Sequence, residues 1–395
     1  MSAPPAVASV VTVMVVAAGV IGGAWLSSTH APDDVTVAPA GQRVAALFTA
    51  EGGPVVPGAP PRGLNSSSAG ECASCHAEIA AEWASSGHAR SWSDPIFQAE
   101  YRLTGQAFCR HCHAPLAAET TDEDVSMHRA GSARADDGNA DPRARGIDCA
   151  VCHVRSGHVL GAGGRGGRGH ATLRDARLAT SAFCGGCHQF NFPARAGAQV
   201  RYHPGRPLQN TVVEWQQSRY ADRPCQACHM PLVGAPGRAH RSHAFRTLDD
   251  PELMARAVRV TADARRRGPA VDITIEIAAA EIGHAFPTGD MFRQAVLTVR
   301  AGAARRQELL MRYFAQTITD DASGHLLGQV DDTRVPPPGA GPAPRFELAL
   351  DEPSATEVVW SLELFRLAPD DARARGLDMS EIRVPVQSGR IAIRN

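Results

Sequence analysis

The sequence predicts two unlike parts: short helices joined by long loops over residues 66–248, then an antiparallel β-sandwich over residues 249–395. Three observations carry this expectation. All 10 cysteines of the 395-residue chain fall between positions 72 and 228. They form five C-x-x-C pairs, each followed at once by His. Past residue 250 cysteine vanishes, and runs appear that alternate apolar and polar residues at the two-residue period of a half-buried strand.

The five pairs are Cys72 and Cys75 before His76, Cys109 and Cys112 before His113, Cys149 and Cys152 before His153, Cys184 and Cys187 before His188, and Cys225 and Cys228 before His229. With 16 His in the chain, chance would put His after all five pairs with a probability on the order of one in ten million. C-x-x-C-H is the attachment motif of haem c. Its thiols form thioethers to the macrocycle, and the His lies beneath the iron. Competing chemistries fit less well. Zinc knuckles do not require His directly after each pair. A redox dithiol would occur once, beside a βαβ pattern. Disulfides would not repeat one spacing five times. The sequence therefore predicts five haem c groups, each held by its two Cys and its proximal His.

Composition narrows the function. Basic and acidic residues number 40 and 41, for a net charge of −1, which argues against a nucleic-acid partner. Every basic residue is Arg. A Schiff-base lysine, a phosphate-loop lysine and a lysine-ligated haem are all excluded. A charged share of 21% with 44% hydrophobic residues is that of a globular protein.

Residues 6–26 are uncharged and long enough to span a bilayer. Residues 1–30 are read as a signal peptide or an N-terminal membrane anchor, with a lean to the anchor because no basic residue precedes the apolar run. Haem c attachment requires export, so the chain is expected in the periplasm, with association to the inner membrane if the segment is retained. Residues 31–65, rich in Pro, Ala and Gly, read as a linker. Residues 66–248 hold the five motifs in a stretch too short for a separate side-chain core around each cofactor. Helices are expected over 71–90 and 211–220, and loops over 130–145 and 161–169. In the β part, strands are expected at 271–278, 294–299, 346–350, 356–364, 382–386 and 389–393, with a helix over 252–264 leading in.

Residues beyond the motifs carry a resemblance. ECASCHAEIAAEWASSGHA holds Trp83, Ser86 and His88; Phe183 to Phe190 surrounds the fourth motif; Glu214, Trp215 and Ser218 run into the fifth, followed by Met230 and Pro231; then come Arg241, Ser242, His243 and Phe245. Together these resemble the cytochrome c-554 family of multihaem cytochromes, whose haem packing is related to hydroxylamine oxidoreductase and pentahaem nitrite reductase. Gly283, His284, Pro287, Thr288 and Gly289, with Arg293, are similar to strings in multihaem cytochromes that carry an added C-terminal β-domain. The resemblance covers about residues 70–300. The chain departs from the tetrahaem pattern by its fifth motif, and from the pentahaem nitrite reductases by lacking C-x-x-C-Lys.

The sixth position decides what each iron does: a second His closes it for electron transfer, and an open position admits substrate. Distal candidates are His88, in the W-x-x-S-x-H string, His243, His170, His284 and His128, with His158 as a further choice. His88 is expected to serve a haem other than the one at its own motif. His111, His30, His203, His240 and His325 read as surface residues. Arg90, Arg102, Arg110 and Arg293 are candidates to meet haem propionates.

The expected function is electron transfer through the five haems between donor and acceptor redox proteins, with the β part as a docking or assembly module. The alternative is a multihaem reductase or oxidase of a small nitrogen or sulfur compound at one open haem faced by polar groups such as Arg, Tyr or His; Tyr101, Tyr202 and Tyr220 lie within the haem region, but spacing does not place them. A weaker reading is an interaction subunit acting through the β part.

Overall fold

The computed structural model describes residues 59–106, 108–117, 141–163, 169–194, 201–318 and 325–395. All of them belong to one compact unit, Asp34–Asn395. The N-terminal segment 1–30, His30 and His128 lie outside the described residues.

In the first part, three motifs are helices in themselves: Cys109–His113, Cys149–His153 and Cys225–His229; the fourth ends the helix Ser181–His188. One helical turn puts positions i, i+3 and i+4 on one face, so both thiols and the imidazole project together. Five-residue helices do not persist alone, so tertiary contacts must hold them.

The helix expected over 71–90 is two helices, Ala69–Ala73 and Ala77–Ala84. The break has a local cause: the Ser74 hydroxyl donates to the Glu71 carbonyl at 2.7 Å, and His76 takes a non-helical φ of −114°. A third helix, Pro95–Thr104, starts at the Asp94 cap and stops at Gly105 in the left-handed region. The helix expected over 211–220 ends early, as Thr211–Gln216.

Short strands link the motifs: β1 (Val154–Arg155), β2 (His158–Gly161) and β3 (Thr172–Arg174) form one small sheet. β4 (Gln189–Ala194) pairs with β5 (Arg201–Asn210), and β6 (Leu232–Val233) with β7 (His240–Arg241).

The second part holds β8 (Val258–Arg267), β9 (Ala270–Ala279), β10 (Gln294–Ala301), β11 (Ala304–Ile318), β12 (His325–Asp332), β13 (Arg345–Asp351), β14 (Glu357–Phe365) and β15 (Arg383–Ala392). Five of them form a sheet in the order β12-β11-β10-β14-β15 and three another in the order β13-β9-β8, with every pairing antiparallel. The alternation is literal in β9, where Val271, Ile273, Ile275 and Ile277 are buried. They meet Ala295, Leu297 and Val299 of β10 and Val358, Trp360, Leu362 and Leu364 of β14 in one core. β10 is buried on both faces: Val296 packs with Ile96 of the first part and with Leu367, Ala372 and Ile382.

Three expectations need correction. The helix expected over 252–264 is Pro251–Ala257, after which the chain is strand β8, in full register with β9. Val258, Val260, Ala262 and Ala264 already alternate, and pairing outweighs helix propensity. The runs at 382–386 and 389–393 are one strand, β15. Gly389 lets it pass under Trp360, since a Cβ there would sit 2.7 Å from the indole. Strands β11 and β12 were absent from the expectation because charge masks their pattern. Arg312, 3% exposed, sits in β11 and donates to Pro207 O, Leu208 O and Gln329 Oε1.

Candidate functional site

One connected cavity of about 2350 Å³ touches all ten motif cysteines and all five motif histidines. Sites for drug-sized ligands hold about 300–1,000 Å³, so this cavity suits several large groups rather than one.

Four motif histidines face a second imidazole across it. His76 and His170 have ring centres 6.2 Å apart, His88 and His188 6.3 Å, His153 and His243 6.1 Å, and His229 and His284 6.2 Å. An imidazole nitrogen lies about 2 Å from a metal it ligates and about 1 Å from its own ring centre, so two rings on opposite sides of one metal stand about 6 Å apart. Direct ring packing would be closer. The four spacings fit bis-imidazole ligation of an iron between the rings.

Backbone carbonyls orient these rings. The Nδ1 of His113 is 2.8 Å from Ser91 O, that of His153 2.9 Å from Leu160 O, and that of His229 2.6 Å from Arg246 O. The Nδ1 of His243 is 2.8 Å from Arg241 O, and that of His284 3.0 Å from Ala285 O. A carbonyl only accepts, so each Nδ1 carries the proton and Nε2 keeps its lone pair. Burial favours the neutral form of several of these rings: it pushes His88 down to about 3, with His188, His229 and His243 adding to the effect. It lowers His188 and His284 to about 4, and it also lowers His113, His153 and His243. Neutral imidazole is the form that binds a metal.

The cysteines, all unbridged, approach one another between motifs rather than within them. Cys149 neighbours Cys72, Cys187 neighbours Cys112, and Cys184 neighbours Cys225. Gln226, beside Cys225, donates to Leu178 O, Thr180 O and Cys184 Sγ, which locks the fourth and fifth motifs together. The motif edges that carry thiols are therefore adjacent. The residues present fit haem c.

His113 differs. Among the described residues no imidazole faces it, and His128 lies outside them. Instead the Phe97 ring stacks on it at 3.8 Å. The remaining histidines have other neighbours: His158 Nδ1 is 2.9 Å from Ser156 O, and His240 Nε2 is 3.2 Å from Glu82 Oε1. Of the arginines considered for propionates, Arg90 pairs with Asp249, Arg110 donates to Tyr101 Oη, and Arg293 donates to Thr288 O.

Sequence reasoning assigns no role to three contributors. Glu82, in the first family-like string, accepts from the His243 backbone N–H at 2.8 Å and so anchors that histidine. Phe245 sits at φ +47° with its ring 4.2 Å from His88 and 5.9 Å from His243; a non-glycine residue in that region signals a constrained position. Glu214, buried at 4% exposure, bonds the loop that carries His284. The strings containing all three were visible, but their partners are distant in sequence.

Residues 71–154, which span the first three motifs, match the family model described as cytochrome c554 and c-prime. Among solved structures, the chain is similar to a penta-heme cytochrome c552 from Thermochromatium tepidum, with a TM-score of 0.59 and 20% identity over 82% of this chain and 97% of that one. A second match, the Fcho1 mu homology domain of Danio rerio with bound Eps15 peptide, has a TM-score of 0.16 at 8% identity, over 28% of this chain and 39% of that one, and carries no argument. No curated protein matches the chain. The chain thus resembles the cytochrome c554 and c-prime family over its first three motifs, and its fold is similar to that of a penta-heme cytochrome.

Proposed function

We propose that the protein is a periplasmic electron carrier that holds five haems c and passes electrons between a donor and an acceptor redox protein. In this reading the ten motif cysteines form the thioethers, and His76, His113, His153, His188 and His229 are the proximal ligands. His170, His243, His88 and His284 close the irons at His76, His153, His188 and His229. The observation that carries it is the set of four opposed imidazole pairs at 6.1–6.3 Å, because closed irons serve electron transfer rather than substrate binding. The bound haems supply one-electron redox chemistry. The chain's own residues set ligand orientation through the Nδ1 bonds and exclude water by burial, the levers that tune potential. The thiol contacts support a branched order in which the fourth motif adjoins both the second and the fifth. The two β sheets that share one core are read as a β-sandwich.

A second reading rests on His113, which faces no described imidazole. A haem open there would make the protein a reductase or oxidase of a small nitrogen or sulfur compound.

Intact mass and a pyridine haemochrome assay count the haems, and electron paramagnetic resonance with carbon monoxide titration of the reduced protein counts open irons. Low-spin haems with no carbon monoxide band support the carrier. One carbon monoxide-binding haem favours the second reading, and two or more open irons would sink the carrier. Fewer than five haems per chain would overturn the assignment of the motifs.

A further inference from the structure

His284 reaches the cavity from the loop between β9 and β10, so one of the four imidazole pairs is completed by the β part. Among the described residues its only ring hydrogen bond is local, to Ala285 O. His229 opposite is tied by Nδ1 to Arg246, a separate segment. The His284 ring therefore goes where its loop goes, and the loop must be fixed elsewhere.

Two sets of contacts fix it. Phe286 and Val335 exchange backbone hydrogen bonds of 2.9 and 3.0 Å. Beyond them lies a buried polar set. Thr288 Oγ1 donates to Glu214 Oε2 at 2.5 Å, and since its proton is used there, the Thr211 hydroxyl at 3.0 Å donates to Thr288. Arg334 stands 2.9 Å from Glu214 Oε1 and 2.8 Å from Asp332 Oδ2, and donates to Pro287 O at 3.0 Å. Glu214 is in the helix Thr211–Gln216 of the first part; Thr288 and Arg334 belong to the second. A buried carboxylate is retained only when paired and fully hydrogen-bonded, and here its partners are the loop itself and the arginine that grips the loop.

We propose that Glu214, Thr288 and Arg334 are positioning residues that hold His284 opposite His229, which makes the β part a donor of a haem ligand. This rests on the reading above that His284 ligates the iron at His229. Replacing the partners that orient a metal ligand costs about 10–100-fold in metal affinity or activity.

The test uses the full-length, haem-loaded protein with carbon monoxide titration and electron paramagnetic resonance. His284→Ala opens one haem per chain beyond the unsubstituted protein. Thr288→Val opens the same haem, read as a new carbon monoxide band there, while Thr288→Ser, which keeps the hydroxyl, behaves as unsubstituted. Glu214→Gln follows Thr288→Val. If His284→Ala gains no open haem, the ligand reading fails. If it does and Thr288→Val does not, the positioning set fails. Carbon monoxide binding at several haems in Thr288→Val would mark general loosening and overturn the proposal as well.

Discussion

The Phe97 ring lies face to face with the His113 imidazole, 3.8 Å away and 8° from parallel. With the Nδ1 bond to Ser91 O, the stack holds His113 in orientation without a described imidazole opposite. Phe97→Ala should cost at least about 1 kcal/mol from the lost ring contact. It should shift the spectrum of one haem while leaving the others unchanged, checked by thermal unfolding and low-temperature difference spectra.

His243 pairs with His153 at 6.1 Å. Thioether ligation raises haem potential relative to bis-histidine ligation. His243→Met should therefore move one of the midpoint potentials to a more positive value, read by spectroelectrochemical titration; a unchanged set of potentials would remove His243 from the iron.

Gly289 has φ +94°, and a Cβ there would stand 3.0 Å from Arg293 Nη1. Arg293 is half-buried and bonded to Thr288 O, so swinging it aside breaks that bond. Gly289→Ala should destabilise the fold by about 1–2 kcal/mol from backbone strain alone, seen as a lowered unfolding midpoint.

Asp250 caps the helix Pro251–Ala257 and pairs with Arg246, whose carbonyl receives His229 Nδ1. The Arg246 hydrogen bond holds its carboxyl below the usual range. A depressed folded value contributes stability above the unfolded pKa, about 3.9 for Asp, and that contribution disappears as pH falls through the folded value. Asp250→Ala should cost about 1 kcal/mol at neutral pH from the cap, and the gap to the unsubstituted protein should close under acid. Denaturant unfolding at neutral and acid pH tests this.

Local rules made much of this protein legible from sequence. A C-x-x-C-H string is a single helical turn, so its three side chains share a face whatever surrounds it. Val271 to Ile277 alternate because a strand has two faces, and one of them is buried. Where charge sits inside a strand, as with Arg312, the local signal points elsewhere, and in β8 the alternating pattern competes with helix propensity until β9 pairs with it.

The pairing of imidazoles was decided by tertiary structure alone. His88 follows the first motif yet faces the histidine of the fourth, and His284 belongs to the β part yet faces His229. Sequence supplied the inventory of ring nitrogens, because chemistry depends on residue type. Which nitrogen opposes which depends on long-range contacts such as Glu82 to His243 and Glu214 to Thr288, and these exist only once distant segments have packed.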